Sequence, residues 1–243
     1  MPEKIQLSVI IPAYNEEKRL PKTLEAIDAY LKNQSYNYEI VVVSDGSEDK
    51  TAEVVENLKS KIASLRLIDN KENHGKGFVV RQGMMEALGE YRIFTDADNS
   101  TSIDQIEKMW PEFEKGYDIV VGSRDTKGAV LNPSQPAFRI VVGDIFRLLR
   151  QIICDVWEIL DTQCGFKGFK KEAVEKIFPK CQIDRFAFDP EILVLAKRMG
   201  YKIKEIPINW KNDLESKVKF KSMVKMFVDL IKIRMNLIFG KYG

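Results

Sequence analysis

Cysteine and histidine are scarce in this sequence of 243 residues. Its three cysteines, Cys154, Cys164 and Cys181, are widely spaced and form no Cys-x-x-Cys pair, and His74 is the single histidine. An odd number of separated cysteines argues against a disulfide framework and predicts reduced thiols inside a cell. The chain also offers no Ser-His or Cys-His pair for nucleophilic catalysis. His74 lies next to a glycine, and we interpret it as a polar loop residue rather than a ligand or a general base.

Long apolar runs and an excess of charge of one sign are also missing. No uninterrupted apolar stretch reaches the roughly 18 to 20 residues that a membrane-spanning helix needs. A strand-like run, IQLSVIIP, begins almost at the N-terminus, so we expect no secretory leader. The 38 Lys and Arg residues nearly balance the 36 Asp and Glu residues, which gives no indication of a nucleic-acid partner. An integral membrane protein is excluded at this stage, whereas attachment to a membrane surface stays open.

Short β-branched runs alternate with helical patterns through the first half of the chain. Strand runs such as IVVV show no polar alternation, which is typical of strands covered on both faces. The strand-helix rhythm therefore predicts an α/β fold with a doubly wound, mostly parallel sheet. Helices are predicted over 21–31, 51–62, 78–88 and 103–113.

The stretch RIFTDADNST places Asp96 and Asp98 directly after an apolar strand. Ser102 and Gln105 resemble a capping box that starts the next helix, so the two carboxylates are predicted at the carboxyl edge of the sheet, where such folds bind ligands. Two carboxylates at this spacing can bind Mg²⁺ or Mn²⁺ together with diphosphate oxygens. By spacing alone, a solvated turn is the alternative. The position after a strand favours the metal, because an acidic pair there repels itself unless a cation is present.

Two other predicted strand ends, PAYNEE and SDGSEDKT, carry acid and amide groups that suit a nucleotide base and ribose. Ordinary turn chemistry is the alternative for each motif alone. The segment NHGKGFVVRQG adds Lys76 and Arg81, which suit phosphate charge. It lacks the spacing of a dinucleotide-binding glycine motif, so a nicotinamide or flavin enzyme is not indicated.

The second half contains two segments with the pattern of amphipathic helices, 139–160 and 218–243. Residues 217–243 include seven Lys or Arg residues and one Asp, a composition that suits an anionic membrane surface. We expect both helices to lie at a membrane interface. The alternative is that they pack on each other or form the interface of a homodimer.

Taken together, the motifs resemble a known family. VIIPAYNEE, VVSDGSEDKT, NHGKG and FTDADNST, in this order, are similar to the inverting family-two glycosyltransferases with the GT-A fold. The later DTQCGFKGF, RFAFDPEIL and EIPINW resemble the branch that makes polyprenyl-phosphate sugars. The resemblance implies a GT-A domain over 1–217, with a nucleotide-sugar half over about 1–125 and an acceptor half over about 126–217, followed by the basic helix 218–243.

The resemblance also implies roles for individual residues. The nucleotide base and ribose would contact Pro12, Ala13, Tyr14, Glu16 and Asp45. The donor diphosphate and its Mg²⁺ or Mn²⁺ would be bound by Lys76, Asp96, Asp98, Ser100, Ser216 and Lys217, with Ser100 standing where some relatives have glutamine. The acceptor phosphate would be surrounded by Arg124, Arg139, Gln163 and Lys167, and Asp161 would orient the acceptor or act as a weak base.

The expected reaction moves a hexose, glucose from UDP-glucose, with inversion onto dolichyl or polyprenyl phosphate at the cytoplasmic face of a membrane. Because a phosphomonoester has a second pKa near 6, such an acceptor is largely a dianion at neutral pH and needs no strong general base. Three alternatives stay open: GDP-mannose or UDP-N-acetylglucosamine as donor, a soluble glycan as acceptor, and a non-catalytic nucleotide-sugar or membrane-binding module. A nucleotidyltransferase is disfavoured, because no glycine-rich, lysine-bearing N-terminal loop is present.

Overall fold

The computed structural model describes residues 4–132, 147–211 and 220–243. The strands are β1 Leu7–Ala13, β2 Tyr38–Asp45, β3 Leu65–Asn70, β4 Tyr91–Phe94, β5 Ile119–Ser123, β6 Val130–Asn132, β7 Lys167–Lys170, β8 Ile203–Pro207 and β9 Asn209–Lys211. The helices are α1 Leu20–Leu31, α2 Thr51–Leu58, α3 Lys76–Glu86, α4 Trp110–Glu114, α5 over 147–154 in its described part, α6 Lys171–Ile177, α7 Phe188–Arg198 and α8 Phe220–Ile238. Two 3₁₀ helices cover Ile103–Lys108 and Phe178–Lys180.

A central sheet of seven strands has the order β3-β2-β1-β4-β7-β5-β8. All neighbouring strands pair in parallel except β7, which is antiparallel to both β4 and β5. Helices cover both faces, as the continuous apolar strands predicted. The predicted α/β fold with a mostly parallel sheet is confirmed. Strands β6 and β9 form a separate parallel pair.

The core lies in two layers, one on each side of the sheet. Alternate residues of β1 point to opposite layers: Ile11 packs among α1, α2 and α4, whereas Ile10 packs among α3, α6 and α7. Each layer is built from fully buried aliphatic and aromatic side chains. Strands buried in this way deliver their carboxyl ends, and the loops that follow, to one edge of the sheet.

The helix predicted over 103–113 differs in detail from the structure. Residues Ile103–Lys108 form a 3₁₀ helix, and α4 starts anew at Trp110. Ser102 makes no side-chain cap, so the predicted capping box is wrong. Gln105 instead accepts a hydrogen bond from Asn209 N at 2.8 Å and donates one to Asn209 O at 2.7 Å. This side chain is used to attach β9 rather than to cap a helix.

The helix predicted over 139–160 ends earlier than expected. Helix α5 ends at residue 154, where Asp155 adopts a left-handed conformation with φ of 54°. Residues 139–146 lie outside the described part. Within the described part, Arg150 is buried while Leu148 and Ile152 are 51% and 57% exposed. A charged residue of this helix is therefore buried and two apolar residues are exposed, which is the reverse of what its amphipathic pattern predicts.

Helix α8 packs through one narrow side and exposes another that is largely apolar. Leu230 and Ile233 are fully buried, whereas Phe227, Ile231 and Ile238 are 38%, 43% and 61% exposed. One polar residue of α8 is also buried. Asn236 is buried and donates a hydrogen bond to the side-chain oxygen of Gln182 at 3.1 Å. In the part of the chain that the structure describes, no helix is both long and apolar enough to cross a bilayer.

The acceptor half predicted over 126–217 contributes β7 and β8 to the same sheet as the nucleotide-sugar half. Strand β7 lies between β4 and β5, so the two halves share one core. The predicted boundary at 217 lies outside the described residues. The division into a GT-A domain over 1–217 and a helix over 218–243 stays a prediction.

Candidate active site

The two aspartates of the DAD motif lie just beyond β4, at the carboxyl edge of the sheet. Asp98 is held by its own loop, because Ser100 N donates a hydrogen bond to Asp98 Oδ1 at 2.9 Å. Burial raises the pKa of the Asp98 carboxyl, and the neighbouring negative charge of Asp96 raises it further. A carboxylate that is disfavoured in this way is a good ligand for a cation, because the cation relieves both effects.

Lys76 supplies one positive charge to this acidic pair. It is the first residue of α3, and its Nζ lies 2.5 Å from Asp96 Oδ1. Burial alone would lower the pKa of Lys76, but the negative charges of Asp96 and Asp189 outweigh it and raise the pKa. Lys76 is therefore a permanent cation at the position where the sequence predicted a contact with diphosphate.

A glycine of the QCGF motif packs directly against Asp96. A Cβ added at Gly165 would collide with the Asp96 carboxylate and would lie 2.7 Å from its Oδ1. Only a residue without a side chain lets this backbone approach the carboxylate so closely. The close approach therefore limits the orientations open to the Asp96 carboxylate.

The donor set fits a hard divalent cation. Two carboxylates, Asp96 and Asp98, offer the oxygen ligands that Mg²⁺ and Mn²⁺ prefer, and substrate phosphates with water complete such a shell. Across the described ranges, no group of three or more His, Cys, Asp or Glu side chains could hold a metal ion. The metal role of Ser100, whose backbone supports Asp98, stays a prediction.

Asp45, predicted to contact the nucleotide, is buried at the end of β2 and organises a loop. Its carboxylate accepts hydrogen bonds from His74 N at 2.7 Å, Gly75 N at 3.0 Å and Asn73 Nδ2 at 2.9 Å. Burial raises the pKa of Asp45, and these N–H donors oppose the increase. The carboxylate therefore holds the loop that leads into Lys76.

The predicted base and ribose contacts after β1 lie at the same edge. Pro12 and Ala13 are buried within β1, and Tyr14 is 38% exposed. The Glu16 carboxylate accepts two hydrogen bonds from the Arg19 guanidinium, each of 2.7 Å. The structure brings these residues to the correct edge, and their contact with a nucleotide stays a prediction.

Arg124, just beyond β5, forms an ion pair with Asp161, and in this pair Asp161 is buried and Arg124 is half-buried. Arg124 Nε and Nη2 donate to the two Asp161 oxygens at 2.7 and 2.9 Å, and Arg124 N donates to Oδ2 at 3.1 Å. Burial would raise the pKa of Asp161, but the Arg124 charge outweighs it and lowers the pKa to about 2. The guanidinium also lies 5.4 Å from the centroid of the Trp210 ring. Arg124 is thus fixed on two sides.

Lys167 does not take the position predicted for it. Its side chain is fully buried, and its Nζ lies 2.5 Å from Asp189 Oδ1 and 5.1 Å from the centroid of the Phe94 ring. It also donates to the carbonyl of Cys164. A lysine enclosed in this way cannot reach an acceptor phosphate, so the predicted contact is corrected to a structural ion pair.

The other predicted residues have varied outcomes. Gln163 is half-buried beside Asp161, to whose Oδ1 its backbone N donates at 3.1 Å. Arg139, Ser216 and Lys217 lie outside the described residues. All three cysteines are free and buried, as expected for reduced thiols.

Asp189 lies in the motif RFAFDPEIL, and the sequence predicted no role for it. Asp189 lies in the first turn of α7, with its carboxylate near the charges of Lys167, Lys76 and Asp96. Burial raises its pKa, and the two lysines oppose this. An acid directly after the apolar run Phe186–Phe188 was the available signal, because an acid is fully buried only with a partner.

Comparison with known proteins agrees with this geometry. The pattern of Glycosyl transferase family 2 matches residues 8–178. A Trichomonas vaginalis protein named dolichyl-phosphate beta-glucosyltransferase is 40% identical over an alignment of 243 positions, which covers 96% of this chain and 74% of that protein. The Homo sapiens protein of the same name is 36% identical over an alignment of 255 positions, which covers 98% of this chain and 77% of the relative.

Solved structures share the fold at low sequence identity. Mannosyl-3-phosphoglycerate synthase from Rubrobacter xylanophilus has a TM-score of 0.69 at 16% identity, covering 98% of this chain and 75% of that one. Glucosyl-3-phosphoglycerate synthase from Mycobacterium tuberculosis, solved with Mn²⁺, UDP and glucosyl-3-phosphoglycerate, has a TM-score of 0.67 at 15% identity, covering 96% and 79%. The sheet order, the two aspartates at the carboxyl edge of the sheet and these similarities show that the chain belongs to glycosyl transferase family 2 and has its GT-A-type fold.

Proposed function

We propose that the protein transfers glucose from UDP-glucose onto dolichyl or polyprenyl phosphate, with inversion at the anomeric carbon. The observation that carries this proposal is the similarity of nearly the whole chain to proteins named dolichyl-phosphate beta-glucosyltransferase, at 40% and 36% identity. The residues at the sheet edge support it, because they divide into an acidic donor side and a basic acceptor side.

On the donor side, Asp96 and Asp98 would hold Mg²⁺ or Mn²⁺ against the diphosphate. When bound, the cation supplies positive charge to the departing nucleoside diphosphate. Lys76, 2.5 Å from Asp96, adds a cation that can move from the carboxylate to a phosphate oxygen. Asp45 supports this arrangement, because it fixes the loop in front of Lys76.

On the acceptor side, Arg124 would bind the lipid phosphate. Its contacts with Asp161 use Nε and one Nη2 hydrogen, and no described residue accepts from Nη1. A phosphate dianion is already nucleophilic, so the main requirement is to overcome its repulsion from the donor diphosphate. Arg139 is proposed as a second cation for the same phosphate.

Of the two roles left open for Asp161, orientation is the one proposed. A carboxylate with a pKa of about 2 is a poor proton acceptor at neutral pH. Its oxygens are occupied by Arg124, so its contribution is to hold the guanidinium in place. One in-line displacement by the acceptor phosphate then converts an α-linked donor into a β-linked product.

Peripheral attachment to a membrane is part of the proposal, since the acceptor is a lipid. The exposed side of α8 presents Phe227, Ile231 and Ile238, with Lys225 and Lys232 also exposed on the helix. Apolar side chains next to lysines suit an anionic bilayer surface.

A variant with Phe227→Ser and Ile231→Ser should no longer sediment with phosphatidylserine vesicles and should keep its unfolding temperature. A homodimer through the same face would instead give a mass change in light scattering that disappears in this variant.

The donor and acceptor are tested together by incubating the purified protein with Mn²⁺, a short polyprenyl phosphate and a panel of UDP-glucose, UDP-N-acetylglucosamine and GDP-mannose. Mass spectrometry should detect lipid-phosphate-hexose from UDP-glucose and little product from the other two. A product only from GDP-mannose, or only from a soluble glycan acceptor, would refute the proposal.

A further inference from the structure

The turn that carries Asp161 is attached to the edge strand of the sheet by one side chain. Glu205 lies on β8, the last strand in the sheet order. Its Oε2 accepts a hydrogen bond from Leu160 N at 2.9 Å, and its Oε1 accepts one from Asp161 N at 2.8 Å. Both bonds are charge-assisted, which makes them stronger than ordinary backbone contacts.

The same turn is held from the opposite direction by a buried arginine. Arg150 of α5 is 3% exposed and donates from Nη2 to Leu160 O at 2.8 Å. Its Nε has no hydrogen-bond partner among the described residues. A buried guanidinium is costly, and its positive charge is offset only by nearby acids such as Asp161 and Asp125. The residue is therefore poorly explained by stability alone.

Together these contacts fix the peptide on both sides of Leu160. Glu205 binds its N–H and that of Asp161, while Arg150 binds its carbonyl. The position of the Asp161 carboxylate then fixes Arg124 through two parallel hydrogen bonds. A displacement of the turn would move Arg124 and, with it, the N–H groups that face outward from the pair.

We propose that Glu205 and Arg150 are positioning residues, which set Asp161 and through it Arg124 for the acceptor phosphate. The inference rests on the proposed function for the identity of the acceptor. It predicts that these two residues affect acceptor binding and leave donor binding unchanged, although neither touches a substrate.

The test compares Glu205→Gln with Glu158→Gln. Glu158 is a matched control, because it lies in the same segment and its 66% exposed carboxylate pairs with Lys197 rather than with Leu160 or Asp161. Two measurements are made: amide hydrogen exchange of the peptide over 157–163, and calorimetric affinity for a short polyprenyl monophosphate. For Glu205→Gln we expect about tenfold faster exchange and about tenfold weaker affinity, since charge-assisted hydrogen bonds are lost.

Two further measurements complete the design: the affinity for UDP and the acceptor affinity of Arg150→Lys. UDP affinity should stay within twofold in both variants, and Arg150→Lys should reproduce the loss of acceptor affinity, because lysine keeps the charge but not the planar set of donors. Unchanged exchange or unchanged acceptor affinity in Glu205→Gln, or failure of the wild-type protein to bind the monophosphate, would overturn the inference. If the wild-type protein binds the monophosphate but transfers no glucose, the proposed function fails while the positioning role stands.

Discussion

Replacing Gly165 by alanine should separate activity from stability more sharply than any other single change. The added Cβ would lie 2.7 Å from Asp96 Oδ1 and closer still to the rest of the carboxylate, whereas ordinary contacts begin at 3.4 Å. The carboxylate must therefore recede by about 1 Å, a displacement that costs on the order of a hundredfold in rate when it affects a catalytic group. This corresponds to about 2.7 kcal/mol of transition-state stabilisation.

The stability of the protein should change much less. The clash involves the far end of a side chain whose ion pair with Lys76 is partly exposed, so Asp96 can rotate away at a cost of about 0.5 to 1.5 kcal/mol. For a chain of this length, the unfolding temperature should fall by no more than about 5 °C. We therefore expect Gly165→Ala to lose about a hundredfold in kcat and to bind Mn²⁺ more weakly, as measured by electron paramagnetic resonance.

Gly168→Ala is the matched control, because the same change is made three residues later in β7. There the added Cβ would meet Met109 Sδ at 2.9 Å and Phe113 Cζ at 3.1 Å, away from the DAD motif. Overpacking should destabilise this variant by about 1 to 3 kcal/mol and leave kcat near that of the wild-type protein. The reasoning is refuted if Gly165→Ala keeps wild-type kcat and Mn²⁺ affinity, or if both variants lose activity in proportion to their stability.

Other predictions concern the buried charges. Lys167→Met should destabilise the protein by about 3 to 5 kcal/mol in urea unfolding, because Asp189 is left buried without its partner, and the double variant with Asp189→Asn should recover much of the loss. The depressed pKa of Asp161, about 2 against an ordinary 3.8, contributes stability that is present above pH 4 and is lost as the pH falls through 2. Arg124→Gln removes the cause, so near-ultraviolet circular dichroism should show acid unfolding at a higher pH; an unchanged midpoint would contradict the assignment. Asp45→Asn should weaken UDP binding in calorimetry, since two backbone N–H groups lose a charged acceptor; unaltered affinity would disprove this role for the loop.

The fold and the donor edge could be predicted from the sequence because their signals are local. Continuous apolar runs such as IVVV indicate strands covered on both faces, and acids directly after them fall at one edge of a parallel sheet. The positions of Asp96 and Asp98 follow from this rule alone, whereas Lys76 was identified from its glycine-bounded motif. The family resemblance added Arg124 and Asp161, which the structure joins in one ion pair.

The remaining features depend on contacts between segments far apart in the chain. Lys167 was predicted at the acceptor because its motif, DTQCGFKGF, resembles the acceptor element of the family, yet β7 carries the side chain into the core to meet Asp189. Strand periodicity did not reveal this, because burial of a lysine requires a partner that only the tertiary fold supplies. No role was predicted for Glu205 and Arg150 for the same reason. Arg150 binds the backbone of Leu160, which is 10 residues away in the chain, and Glu205 binds the backbone of Asp161, which is 44 residues away.

The central claim is tested most directly by determining the anomeric configuration of the product. The purified protein is incubated with UDP-glucose, Mn²⁺ and a short polyprenyl phosphate, and the anomeric proton coupling of the product is measured by nuclear magnetic resonance. We predict a β-linked glucosyl phosphate that is absent with EDTA and in Asp98→Asn. An α-linked product, or a β-linked product formed at the wild-type rate by Asp98→Asn, would contradict the account.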